Sequence, residues 1–287
     1  MKSTNRYNLP EPLFKAMQSD EKEIQPNRIS VTTLIAPPLI RKLSIEHWNE
    51  MEEDVSEKLW ALLGTSIHEV LQKYGIGETL EVEKFLKLQQ GNWTIMGYVD
   101  LIDKSIKSIE DYKTTSVWSF LLGDNTSWEE QLNCYAYLAV KSGYEIEHLF
   151  INAILRDWQV NKVGTKDYPE IPFKRKEVKL WTFQEQESYI KKRLDLFEHE
   201  AQECTDEEKW KRGGQIALMQ DGRKKALKLY DNEDEANKIT LIKGQHFEAR
   251  PVEYFKCLNY CRVRKFCPYN PYRDAYGSEE GYDKNDL

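Results

Sequence analysis

The chain has 287 residues, a formal net charge of −7 and five cysteines. That length holds one large domain or two small ones with a substantial core, and the charge excludes a protein that captures nucleic acid through overall positive potential. The odd cysteine count argues against a disulfide framework. With the polar start MKSTNRYNLPEPLFKAM and no apolar run of spanning length, it predicts a soluble, cytoplasmic protein without membrane contact.

Residues 1–28 are expected to form a flexible segment. Residues 55–74 (VSEKLWALLGTSIHEVLQKY) place Leu63, Ile67, Val70, Leu71 and Tyr74 at helical spacing, and the following Gly-Ile-Gly ends the helix. Three strands are predicted next, at 80–88, 92–102 and 106–113, as a meander. A second helix is expected from Ser127, where Ser-Trp-Glu-Glu reads as a capping box with Glu130 reaching back, to Gly143. The apolar run 148–155 (HLFINAIL) has the length of a buried strand. Strand, helix and strand over 106–155 form a crossover unit, which sets the last strand parallel to the third. The order is αβββαβ, an α/β fold with a mixed sheet. Residues 182–203 then read as an amphipathic helix, Gln215–Tyr230 as a hairpin turning at Asp221-Gly222, and the polar tail after Tyr269 as disordered. The domain expectation is a core over 29–204, a hairpin and cysteine-rich segment over 205–272, and a disordered tail over 273–287.

Side chains alternate along a strand, so Asp111 and Lys113 share a face with Ile109, while Glu110 and Tyr112 face the other way. Glu110→Ala is therefore expected to be nearly silent in metal-dependent cleavage. On the preceding strand Asp100 shares a face with Met96 and Tyr98, and a carboxylate between hydrophobic residues is costly to bury unless it is paired. Asp100, Asp111 and the main-chain carbonyl of Tyr112 would offer a hard cation such as Mg²⁺ its oxygen ligands, leaving positions for water and a phosphate oxygen. Lys113 would hold or deprotonate the attacking water and steady charge developing on phosphorus. Asp-x-Lys alone is more often a strand-end ion pair. His68 lies one position off the apolar stripe, where the helix can aim it at the carboxylates or leave it as an ordinary boundary residue. Gln131 and Tyr135, four apart on the crossover helix, present two polar tips on one face. Lys174-Arg175-Lys176, Lys191-Lys192-Arg193 and Arg223-Lys224-Lys225 supply local positive potential or are simply solvated faces.

Taken in order, Gly64-x-x-x-His68, Gly97-Tyr98-Val99-Asp100, Asp111-Tyr112-Lys113-Thr114 and Gln131-x-x-x-Tyr135 on αβββαβ resemble the RecB-type branch of the PD-(D/E)XK nucleases, including the Cas4-like exonucleases. The resemblance covers about residues 30–157. A looser likeness to phage-encoded Cas4-like proteins continues through Leu155-Arg156-Asp157-Trp158, Cys204-Thr205-x-Glu207-Glu208-x-Trp210 and the terminal cysteines. It implies a restriction-endonuclease-like core and metal-dependent hydrolysis of DNA phosphodiesters. The implied enzyme is an exonuclease on DNA ends or single strands, serving recombination, repair or phage DNA processing. His68, Asp100 and Asp111 would be ligands of Mg²⁺ or Mn²⁺, Lys113 the catalytic lysine, and Gln131 and Tyr135 supports of the site or the DNA. Glu83 in the first strand is a further candidate acid. One rival is a non-catalytic, metal-stapled nucleic-acid-binding protein with a degenerate nuclease core, against which the lysine and both acids argue. A restriction-type endonuclease is another, and it lacks a visible recognition domain.

Near the C-terminus, Cys257-x3-Cys261-x5-Cys267-Pro268 crowds three thiols into one segment, which points to a bound metal, structural zinc among the alternatives, or to chance clustering. The Cas4-like resemblance implies a 4Fe–4S cluster with a fourth cysteine from elsewhere. In those relatives it lies upstream of the nuclease motifs, where this chain has none, and the first spacing is wider than theirs. Cys204 is then the candidate fourth ligand, because Cys134, inside QLNCYAY, reads as a core residue. A metal-bound staple tying a C-terminal cap onto the core is the expectation.

Overall fold

The structure, a computed structural model, describes residues 1–18, 25–75, 77–123 and 125–273, so the expected disordered tail lies outside the described residues but for Arg273. The chain divides into two compact units, Met1–Ala201 and a second from Gln202 onward. In the first, β1 (Lys2–Thr4), α1 (Glu11–Met17), β2 (Arg28–Ser30), α2 (Val31–Leu34), α3 (Pro38–Glu46) and β3 (Glu52–Asp54) lead into α4 (Leu59–Tyr74). There follow β4 (Leu80–Gln90), β5 (Trp93–Asp103), β6 (Ser108–Thr115), α5 (Val117–Leu122), α6 (Thr126–Lys141), β7 (His148–Leu155), β8 (Phe173–Val178) and α7 (Phe183–Glu198). The opening residues, expected to be flexible, carry regular structure. β1 pairs in parallel with β3, and the buried Asp54 carboxylate accepts from Thr4 Oγ1 at 2.9 Å and Arg6 N at 2.8 Å.

Six strands form one mixed sheet in the order β2-β5-β6-β7-β8, with β4 along the other edge of β5. β4, β5 and β6 are the antiparallel meander, and β7 runs parallel to β6. α6 makes the crossover between β6 and β7 and is buried continuously from Leu132 to Ala139, because the sheet lies on one side and α2 and α7 on the other. Burying a side chain such as Leu132 or Leu138 contributes about 2 kcal/mol. Buried Asn133 is fully satisfied: its amide donates to Glu129 O and Lys179 O, each at 2.9 Å, and its oxygen accepts from Trp181 N at 2.8 Å and Gln186 Nε2 at 3.2 Å. That network fixes the entry into α7.

Two local expectations fail. α6 starts at Thr126 after Asn125, whose side chain makes no cap, so Ser127 lies inside the helix and is not its N-cap. The capping box is found instead at Thr182 and Glu185 on α7. α4 does not bury the stripe its spacing suggests: Val70 is 52% and Tyr74 82% exposed, and none of its residues is fully buried. Its protected stripe is Gly64, Ile67, His68 and Leu71, with His68 at one edge and 30% exposed, so the helix aims the imidazole at the carboxylates from the border of its inward face.

The second unit comprises β9 (Lys211–Arg212), β10 (Ile216–Gln220), β11 (Lys228–Tyr230), α8 (Glu233–Ala236), β12 (Gln245–Ala249), β13 (Glu253–Tyr254) and α9 (Phe255–Asn259). β11-β10-β12 is an antiparallel sheet over Leu218, Tyr230 and Ala236. The hairpin exists, but residues 221–227 form its connection, longer than a turn at Asp221-Gly222 alone. Among the described residues no helix is long and apolar enough to cross a membrane.

Candidate active site

The site forms where the ladders around β5 open. β2 pairs with residues 94–96 of β5 and β6 pairs with residues 101–103 along the same edge, so that edge has no strand partner between them. On the opposite edge, β4 pairs with β5 throughout except where Glu83 meets Asp100. Glu83 has a φ of 48°, left-handed backbone that a residue with a Cβ adopts at a cost of about 1–3 kcal/mol. Val99 and Ile102, three apart on β5, are both buried in one core, so alternation breaks at Asp100.

This opening is filled by polar side chains. Asp100 Oδ2 accepts from Tyr112 N at 2.7 Å. The N–H and C=O of one strand residue project to the same edge, so the Tyr112 carbonyl also faces the gap beside β5. His68 Nδ1 of α4 lies 3.2 Å from Glu83 Oε1 and 3.5 Å from Asp100 Oδ1, with its ring edge-on to Tyr112 at 6.4 Å. On β6, Lys113 Nζ donates to Asp111 Oδ1 and to Gln131 Oε1, each at 3.0 Å, and Gln131 Nε2 donates to Asp111 Oδ1 at 3.1 Å. Tyr135 hydrogen-bonds Gln131 and packs on Gly97, where a Cβ would lie 2.6 Å from the tyrosine ring. Only glycine admits that contact.

These donors fit a hard divalent cation. One atom from each of His68, Glu83 and Asp100 lies within 4.8 Å of the others. Asp111 Oδ2 is buried without a hydrogen bond; Lys113 Nζ approaches it at 2.8 Å as an ion pair lacking hydrogen-bond geometry. Burial, then the neighbouring Asp111 charge, pushes the Asp100 carboxyl up to about 7. Two carboxylates so crowded are relieved by a cation between them. Asp111 stands outside the His68–Glu83–Asp100 group, and Glu83, secondary in the sequence reading, stands inside it. The signal for Glu83 is its register position opposite Asp100.

Glu110 lies on the face expected for it and carries a structural role there. It faces away from Lys113 but is not idle, being buried, with Arg175 Nη2 donating to Oε1 at 2.5 Å, Asn152 Nδ2 to Oε2 at 2.6 Å and Ser108 Oγ to Oε1 at 3.2 Å. Arg175 also stacks on Phe150 at 3.7 Å. Of the three basic clusters, this arginine is thereby absorbed into the fold.

Cys204, Cys257, Cys261 and Cys267 are free, half-buried and all in the second unit, while Cys134 is buried in the core of the first. Burial, then the Glu208 charge and the other cysteines, pushes the Cys204 thiol up to about 12, and burial with Cys261 and Cys267 pushes Cys257 up to about 11. Cys261 is raised by burial and by Cys267. The thiols are near enough to influence one another and are held neutral by burial, but among the described residues no three of their sulfur atoms lie within 4.8 Å of one another.

Among solved structures, the crystal structure of SSO0001 is similar over 61% of this chain and 79% of its own, at 18% identity and a TM-score of 0.43. That of a phage related exonuclease from Haemophilus somnus 129PT is similar over 58% of this chain and 90% of its own, at 13% identity and a TM-score of 0.36. A comparison with curated proteins gives no match. The family model of the PD-(D/E)XK nuclease superfamily matches residues 18–268, a span that includes the meander, the crossover unit and every residue of the candidate site, and the chain belongs to that superfamily.

Proposed function

We propose that this protein is a divalent-metal-dependent deoxyribonuclease of the RecB-type, Cas4-like branch, acting as an exonuclease on DNA ends or single strands in recombination, repair or phage DNA processing. The reading is carried by Lys113, whose ammonium is held between Asp111 and Gln131 beside the His68–Glu83–Asp100 group. In this reading His68, Asp100, Asp111 and the Tyr112 carbonyl, with Glu83, hold Mg²⁺ or Mn²⁺. Such an ion, when bound, acidifies water and withdraws charge from the phosphate oxygens. Lys113 Nζ orients the attacking water and stabilises charge developing on phosphorus. Asp111 and Gln131 fix that ammonium in advance, so little reorganisation accompanies the reaction. Tyr135 positions Gln131 from behind.

The nuclease core occupies residues 29–204 in this reading, and residues 205–272 are a metal-stapled cap. Cys204, Cys257, Cys261 and Cys267 hold a 4Fe–4S cluster, zinc being the alternative. The cluster would take up the thiolates that burial disfavours and tie Cys204 to the C-terminal segment. The enzyme works in the cytoplasm of a bacterium or a phage-infected host.

Lys113→Ala tests the assignment, because it keeps every proposed ligand and removes only the ammonium. Turnover on linear DNA is expected to fall at least about 10²-fold, while calorimetry still detects Mn²⁺ binding. Wild-type turnover by the variant would sink the assignment.

A further inference from the structure

The face of the sheet opposite α6 is covered by α4 only as far as the acid cluster. His68 of α4 reaches Glu83 and Asp100, and Gly75, which ends α4, approaches Val82 so closely that a Cβ would lie 2.2 Å from it. Past that row, Phe85, Lys87 and Gln89 of β4 and Tyr98 of β5 are exposed. Directly paired residues share a face, and the register gives Phe85 with Tyr98, Lys87 with Met96 and Gln89 with Thr94. β2 adds Arg28 beside Thr94 and Ser30 beside Met96. The intervening Leu86, Ile95 and Val99 are buried, so these rows point outward.

Phe85 is 42% and Tyr98 58% exposed, with ring centroids 5.0 Å apart. Beside them a groove of about 540 Å³ is lined by Arg28, Phe85, Lys87, Gln89, Thr94 and Met96. No carboxylate lines it, in a chain of net charge −7. Neither Arg28 nor Lys87 has an ion-pair partner among the described residues. Same-face residues along a strand are spaced about 7 Å apart. The aromatic row therefore lies one such step from the Glu83–Asp100 row, and Lys87 lies two steps away.

We propose that this track binds an unpaired DNA strand, with bases stacked on Phe85 and Tyr98 and phosphates on Lys87 and Arg28, and gives the enzyme a preference for single-stranded DNA. Aromatic rings interleaved with cations are what a single strand requires: every base has a face to stack, and every phosphate a charge. In a duplex the bases are stacked on one another and do not reach the rings, so the track selects unpaired DNA. The proposal rests on the nuclease reading for the end at which the strand is delivered, but the binding it asserts is measured separately.

The test is fluorescence anisotropy of an oligodeoxythymidylate of about 12 nucleotides with the intact protein in EDTA at low salt. Phe85→Ala with Tyr98→Ala is expected to weaken binding by about tenfold per ring, with affinity for blunt duplex changed little. Arg28→Ala with Lys87→Ala is expected to flatten the salt dependence by about 1.4 in log–log slope, from two phosphate contacts at roughly 0.7 each. Tyr7, 73% exposed on a different element, is the control, and Tyr7→Ala is expected to bind as the wild type does. Wild-type single-strand affinity in the aromatic double variant overturns the track. So does equal or tighter binding of blunt duplex or of the matching RNA by the wild type. Hydrolysis of bis(p-nitrophenyl) phosphate, too small to span to Phe85, reads the metal site alone. If neither it nor any DNA is cleaved, while the aromatic variant loses affinity, the nuclease reading falls and the track stands.

Discussion

Glu83 stands opposite Asp100 in the register of β4 and β5, at the position where the two strands do not pair, and its backbone is left-handed. Strain beside two acids and a histidine is what a ligand-holding position shows when stability is traded for geometry. Glu83→Gly removes both the strained Cβ and one negative charge next to Asp100. The metal-free protein is expected to melt about 2–4 °C higher, corresponding to roughly 1 kcal/mol, and Mn²⁺ affinity to fall about tenfold. Thermal melts in EDTA and titration calorimetry check the pair of outcomes. A lower melting temperature with unchanged Mn²⁺ affinity would make Glu83 purely structural.

Glu110→Ala is expected to destabilise by about 2 kcal/mol, because it leaves Arg175 without its counter-charge and Asn152 Nδ2 without its acceptor in the interior. Partial exposure of Arg175 keeps the cost below that of a fully buried pair. Urea denaturation reads the difference as a lowered midpoint with unchanged slope. An unchanged midpoint would mean that the network contributes nothing net.

The Asp100 carboxyl, pushed up to about 7, has a folded value above its unfolded one of 3.8. Between those values the folded state binds more protons than the unfolded, so in EDTA the stability contributed by this group falls as pH rises from about 4 to about 7. Asp100→Asn is expected to lack this component, so its melting temperature should gain on the wild type across that window. Metal binding runs the other way, since it requires the carboxylate: Mn²⁺ affinity is expected to rise with pH through about 7. Affinity independent of pH between 5.5 and 8 would remove Asp100 from the ligand set.

Protein purified without oxygen is expected to be brown and to contain iron and sulfide. Replacing Cys204, Cys257, Cys261 or Cys267 by Ser should abolish the colour, whereas Cys134→Ser should keep it, since Cys134 lies in the core on α6. Colourless protein with stoichiometric zinc would retain the staple and refute the iron–sulfur assignment.

The order of elements and the partnership of Asp111 with Lys113 were legible because they follow from strand alternation and from crossover geometry, both local rules. Other features depended on contacts across the chain. α4 reads as amphipathic over Leu63, Val70 and Tyr74, but the stripe it presents inward contains His68. Glu110 reads as idle because Arg175, its partner, is 65 residues away on β8. Ser127 reads as a cap because Ser-Trp-Glu-Glu is a local pattern, whereas α6 starts one residue earlier, at Thr126. The break in alternation at Asp100 has no sequence mark at all, since no glycine or proline stands there, and the strain is carried by Glu83 on the neighbouring strand.

The most direct measurement is a time course of digestion on end-labelled linear single-stranded, blunt and tailed DNA and on circular single-stranded DNA, with Mg²⁺, Mn²⁺ or EDTA, for the wild type and Asp111→Asn. The account predicts that the wild type shortens linear single-stranded and tailed DNA from their ends with either metal, leaves circles intact and is silent in EDTA. Asp111→Asn, folded by its melting curve, is predicted to be silent throughout. No cleavage of any substrate by metal-loaded wild type, or wild-type cleavage by Asp111→Asn, would contradict it.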